Sequence, residues 1–192
     1  MSGLITVNDA ANYFLSLYVK TDYTYDRRKM QKLIIFADLL YYATYDKRLL
    51  RDTDVTATER GLSIDNLSEL YDLSFNFKNE RGLINEACIA DDAVLELSPV
   101  YGFDAFSVDN AVRLLLRYTF CQFGAYSGDD LTYMSRKSAL WQLARNRETS
   151  TEYYVTEAIY RQFLCTTFQM SQSIDERRDA IVTYLKGLLS SD

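Results

Sequence analysis

The chain has 192 residues, 48% of them apolar and 25% charged, with seven glycines and one proline, which is the composition of one folded domain with a substantial core and argues against a long linker. With 21 basic and 27 acidic residues the net charge is −6, which disfavours broad binding to nucleic-acid phosphates. There is no histidine, so the commonest general base and metal ligand, and every Ser-His or Cys-His pair, are excluded.

Thr6 with Asp9 reads as a helix start, and a first helix is expected over about residues 7–19 with Ala10, Tyr13, Phe14 and Leu17 on one stripe. The opening decapeptide lacks the basic-then-apolar pattern of a secretory signal. The second helix, about residues 26–45, carries the stretch RRKMQKLIIFADLLYY. Met30, Leu33, Ile34, Ala37, Leu40 and Tyr41 keep helical spacing, and Ile35, Phe36, Leu39 and Tyr42 fill the other sides. A helix apolar nearly all round is surrounded by neighbours, so this one is expected to be central. Its apolar run, Leu33 to Ala43, is interrupted by Asp38 and falls well short of the roughly 20 residues a membrane span needs. Asp38 is expected to accept hydrogen bonds from backbone or an arginine, because an unpaired buried carboxylate is costly. Arg27, Arg28 and Lys29 oppose the helix dipole and are expected to emerge into solvent.

A short strand is expected near residues 54–58, then a short helix over about 63–71. Extended pieces are expected near 87–89 and 94–97, ahead of Pro99 and Gly102. Ser107 is read as the cap of a helix over about 108–123. Asp109, Arg113 and Arg117 lie along its polar side, and Gly124 takes the C′ position. Two short helices follow: one is capped by Ser127 with Asp129 and Asp130 in its first turn, the other covers about 138–145 and carries Trp141. Asp129-Asp130 is a helix-start pair, since no further oxygen ligands can be identified for a metal. A helix over about 152–168 and a last one opened by the Ser173/Glu176 capping box complete the chain, with Ile174, Ile181, Tyr184, Leu185 and Leu188 on one face. Cys88, Cys121 and Cys165 are scattered and odd in number; they are read as small residues in or near the core of a protein from a reducing cytosol.

Three groups of residues, in their order and spacing, resemble a known family. They are VNDAANYFL with RRKMQKLIIFADLLYYATYDKRLLRD, then the arm Thr58-Glu59-Arg60-Gly61-Leu62, then FGAYSGDDLTYMSRKSALWQLAR. Met30-Gln31-Lys32-Leu33 and Phe36-Ala37 match its helix motif, and Leu131 to Ser135 with Trp141 match its C-terminal motif. The family is the Panacea domain, the SocA-like, phage-associated antitoxins, and the resemblance covers about residues 5–170, with the last helix (about 174–189) appended. The chain departs from the pattern where Leu62 replaces Pro-Val after Gly61, where Ala57 stands for the arm aromatic, where Asp38 replaces Gln, and where Ser135 replaces a histidine.

The resemblance implies a mainly α protein with a small β element, a compact helical domain around a central buried helix with a short β-arm inserted after it. It implies a cytoplasmic, non-enzymatic module that neutralises a toxin by direct contact, with no catalytic residue, metal or cofactor. Delivery of a client to a protease, or modulation of a host protein, is the alternative. Arg27, Arg28, Lys32, Tyr42, Tyr45, Arg60 and Trp141 are the candidate partner-binding residues. For Lys32 the competing expectation is a packed stem with its amine on a local acid, and for Trp141 an anchor beneath the central helix. The expected partner is a toxin or host protein, not a membrane or nucleic acid; a homodimer is left open.

Overall fold

The computed structural model describes residues 4–18, 21–23, 26–51, 53–64, 108–146, 153–168 and 173–190. The expectations for residues 65–71, 87–89 and 94–97, for Pro99, Gly102 and Ser107, and for Cys88, lie outside them.

The described chain is mainly helical with one small antiparallel sheet. In order the elements are α1 (Val7–Tyr18), α2 (Arg27–Tyr45), β1 (Val55–Thr58), β2 (Gly61–Ile64), α3 (Asn110–Phe123), α4 (Gly128–Lys137), α5 (Ala139–Arg145), α6 (Glu157–Thr167) and α7 (Ile174–Gly187), which runs into a 3-10 turn at Leu188–Ser190. Local chemistry sets most helix starts. Thr6 and Asp9 cap reciprocally at 2.9 and 3.1 Å, Asp26 accepts from Lys29 N, and Ser127 with Asp130 and Ser173 with Glu176 form full capping boxes. Asp46 closes α2 in left-handed backbone (φ 52) with its N–H on Tyr42 O.

Helix α2 is the axis of the fold. It packs against α1, α3, α4, α6, α7 and β2, and the buried apolar side chains form one cluster around it. Leu33, Ile34, Ile35, Ala37 and Leu40 are wholly buried. Asp38 lies in the middle of this surface, also wholly buried, and is fully engaged. It accepts from Arg48 Nε at 2.6 Å, Leu49 N at 2.8 Å, Leu50 N at 3.2 Å and Tyr160 Oη at 2.8 Å. Burial opposes the Arg48 charge, but Tyr160 and Asp38 outweigh it and hold the guanidinium above its ordinary pKa. Burial, then Asp38, pushes the Tyr160 hydroxyl well above its ordinary value, so it stays a donor.

Several expectations are corrected. Asp109, not Ser107, caps α3, accepting from Ala111 N at 2.8 Å, so its carboxylate serves the helix end. Gly124 ends α3 in right-handed backbone (φ −62), not as a left-handed C′ residue. Glycine suits the place because a Cβ there would fall 2.6 Å from Phe120 O. Residues 63–64 belong to β2, so the sheet is a hairpin, where only its first strand was expected. Helix α6 begins at Glu157 and not near 152, because Tyr153–Val155 pairs with the sheet. Ile174 is 46% exposed at the start of α7, while Ile181 and Leu185 of the same helix are buried. Cys121 and Cys165 are exposed, not core residues. Lys29 is buried, its amine over the rings of Tyr18 (5.1 Å) and Tyr23 (5.9 Å), so it does not emerge into solvent. Among the described residues no helix is long and apolar enough to cross a membrane.

Candidate functional site at the β-hairpin

The hairpin pairs Val55 with Ile64 and Thr58 with Gly61 across a two-residue tip, Glu59 and Arg60, both exposed. Thr58 Oγ1 donates to Gly61 O at 2.9 Å and accepts from Arg60 N at 3.2 Å, which closes the turn. Gly61 has φ +96, a conformation costly for any residue with a Cβ. A Cβ there would also overlap Ser135 Oγ and lie 3.3 Å from Arg136 N and Thr132 O, so the hairpin backbone rests directly on α4.

Side chains from three helices hold this hairpin. From α2, Lys32 Nζ donates to Leu62 O, and Gln31 Nε2 donates to Ser63 Oγ at 3.1 Å and Ile64 O at 3.4 Å. From α5, Trp141 Nε1 donates to Thr58 O at 2.7 Å. From α4, Ser135 meets Gly61. On the far side of β1, Ala57 N donates to Tyr153 O at 2.8 Å and Val155 N to Val55 O at 2.7 Å, so Tyr153–Val155 runs antiparallel beside it.

The candidate residues separate into three places. Lys32, Arg60 and Trp141 converge on the hairpin. Lys32 is 3% exposed, and its partner is a carbonyl, not the acid or anion expected. Trp141 is half-buried and anchors the hairpin, not the central helix. At the start of α2, Arg27 lies in the first turn and Arg28 pairs with Asp129 of α4 at 3.0 Å. At the other end, Tyr42 is 1% exposed, stacked on Tyr160 at 5.1 Å, and cannot present a surface. Tyr45 is 44% exposed, 4.5 Å from the ring of Tyr41. Thirteen residues of helix separate Lys32 from Tyr45, about 20 Å, so the tyrosine end is not part of the hairpin site. Sequence reasoning missed the neighbours Gly61 and Ser135 as a contact pair, and the cations Arg136, Lys137 and Arg145 beside them. The basic spacing of SRKSALWQLAR was the available signal for the latter.

Burial sets the electrostatics. It pushes the Lys32 amine down to about 8, helped by the nearby Arg28 charge, and pushes Lys29 down to about 8 against the pull of Asp26. A free lysine titrates near ~10.4. Below pH 8 both states hold the proton and its burial weighs fully on folding. Between pH 8 and about 10 the unfolded chain binds more protons, so stability rises with pH, Lys32 contributing at most ~1.4 kcal/mol per pH unit. Above ~10 the trend reverses, because unfolded tyrosines ionise while buried Tyr18 and Tyr160, both raised by burial, stay neutral. Urea unfolding at pH 7.5, 8.5 and 9.5 checks this: the midpoint climbs, and K32M flattens the climb. A midpoint that falls steadily from 7.5 contradicts it.

Among the described residues no group of three or more Cys, Asp or Glu is placed to hold a metal ion. No protein-family model, curated protein or solved structure matches the chain.

Proposed function

We propose that this chain is a non-enzymatic, antitoxin-like protein-binding module of the cytoplasm, whose hairpin, braced on α2, α4 and α5, presents the contact surface. What supports the reading is the convergence of the resemblance itself. Gln31-Lys32, Gly61 and Trp141 are separate pieces of the family pattern, and they meet on a single hairpin of four-residue strands, together with Leu62 and Ser135, where the chain departs from that pattern. The spacing of those pieces therefore has a physical purpose, which is to hold an exposed tip rigidly. A rigid tip loses little entropy on binding, which favours protein recognition.

The test is co-expression with a growth-arresting product of a neighbouring gene. The expected result is restored growth and co-purification of the two proteins at equal stoichiometry. Growth arrest that persists despite soluble expression of this chain overturns the reading. Accelerated loss of the partner, in place of a stable complex, identifies a proteolysis adaptor instead.

A further inference from the structure

The geometry points to a docking surface around the hairpin tip for an acidic, carboxylate-bearing segment of a partner protein, with Arg60, Arg136, Lys137 and Arg145 as its recognition groups. This rests on the protein-binding reading above and names the chemistry of the partner.

Four cations surround the tip. Arg60 is exposed within it. Gly61, the next residue, abuts Arg136 N, so Arg136 and Lys137, both exposed at the end of α4, lie alongside. Trp141 is bonded to the carbonyl of Thr58, and Arg145 stacks over the Trp141 ring at 5.5 Å and the Tyr153 ring at 4.5 Å, which brings it to the same strand end. Among the described residues none of the four cations is in an ion pair; the same holds for Lys47 and Arg117 elsewhere, so it is their grouping at one place that marks the tip. The one acid within the tip is Glu59. Among the described residues, in a chain of net charge −6, this is a local reversal of sign. Helix dipoles account for cations in the last turns of α4 and α5. They do not account for Arg60, which sits on a hairpin.

Rings rather than carboxylates hold two of these cations, since Lys137 Nζ lies 5.3 Å from the Tyr133 ring. A cation held this way keeps its charge and its hydrogen-bond donors available, and a guanidinium meets a carboxylate with two parallel N–H donors. Nucleic acid is the poorer fit. Phosphate tracking needs an extended basic face, and base stacking needs open aromatic faces, but Trp141 and Tyr153 are covered by Arg145 and Tyr133 by Lys137.

Fluorescence anisotropy on the full chain at low salt tests the assignment with three probes: a (Glu-Ser)6 peptide, a (Gln-Ser)6 peptide and a seven-thymidine single strand. Contacts at the three exposed cations, Arg60, Arg136 and Lys137, predict that the glutamate peptide binds about tenfold tighter than the glutamine peptide. R136Q/K137Q removes most of this preference with the helical circular dichroism retained, while R117Q, which removes a charge from α3, leaves it. Equal binding of the two peptides overturns the proposal, as does an equal loss in R136Q/K137Q and R117Q, or tighter binding of the thymidine strand. The growth assay separates this from the antitoxin reading. If the unsubstituted chain and R136Q/K137Q both restore growth, this surface is wrong and the antitoxin reading stands. If neither restores growth but the peptide preference holds, the surface stands and the antitoxin reading falls.

Discussion

Replacing Asp38 with alanine destabilises the protein by about 3–5 kcal/mol, a large part of the ~5–15 kcal/mol that holds a domain folded. The carboxylate is wholly buried and takes four donors from two separate places: the segment Arg48, Leu49 and Leu50, and Tyr160 on α6. Alanine leaves all four donors without an acceptor, and the Arg48 guanidinium, largely buried, without its counter-charge. The loss is thus mainly the cost of stranded partners rather than the strength of one ion pair. D38N costs less, because an amide oxygen can still accept from part of the set, but it keeps Arg48 uncompensated. Equilibrium urea unfolding of both variants gives the comparison. A D38A loss under about 1 kcal/mol would mean that the segment at residues 48–50 and α6 are held by apolar packing alone.

Substitution of Gly61 by alanine costs about 2–4 kcal/mol, of which ~1–3 is backbone strain at a positive φ and the rest is the collision with α4. The two parts separate in a double-mutant cycle. S135A removes the oxygen that the new methyl group would overlap, so G61A/S135A recovers the collision and keeps the strain. S135A alone loses the hydrogen bond from Ser135 Oγ to Thr132 O, worth ~0.5–1.5 kcal/mol. Strict additivity of the two changes would mean that Gly61 and Ser135 do not touch. Circular dichroism with urea titration suffices for all three variants.

These two positions show where the sequence is readable and where it stops. Asp38 could be recognised as a paired acid from its setting, because an acid in an apolar run must find donors. Its partner Tyr160 could not be named, being 122 residues away with nothing local to mark it. Helix starts at Thr6, Ser127 and Ser173 were legible for the same reason that they form, a capping side chain bonded to backbone three residues on, whereas α6, whose Thr156 makes no such bond, was placed too early. The hairpin was half legible. Both strands are four residues long, but β1 alternates buried and half-buried positions, while β2 opens on a glycine and is buried at Gly61, Leu62 and Ile64, so no alternation marks it. Lys29 misled most. Its charge suggests solvent, and that of Lys32 an acid or anion partner, but the polar positions of α2 end beneath the hairpin and the aromatic rings, Lys32 on a carbonyl. Helical periodicity reports which face is apolar, and has no way to report that the other face is covered as well.

The hairpin's two borders are both occupied: Tyr153–Val155 along one, Gln31 and Lys32 on the carbonyls of the other. Among the described residues, neither border therefore offers an incoming chain a full set of free acceptors. The protein is protected against edge-to-edge aggregation and strand exchange at this sheet. The same protection restricts how a partner is recognised. A ligand cannot add itself here as a further strand, in the manner of β-augmentation, without first displacing a bond the fold depends on. Recognition at this sheet falls to side chains at the turn, where one substitution can change the partner and leave the scaffold as it was.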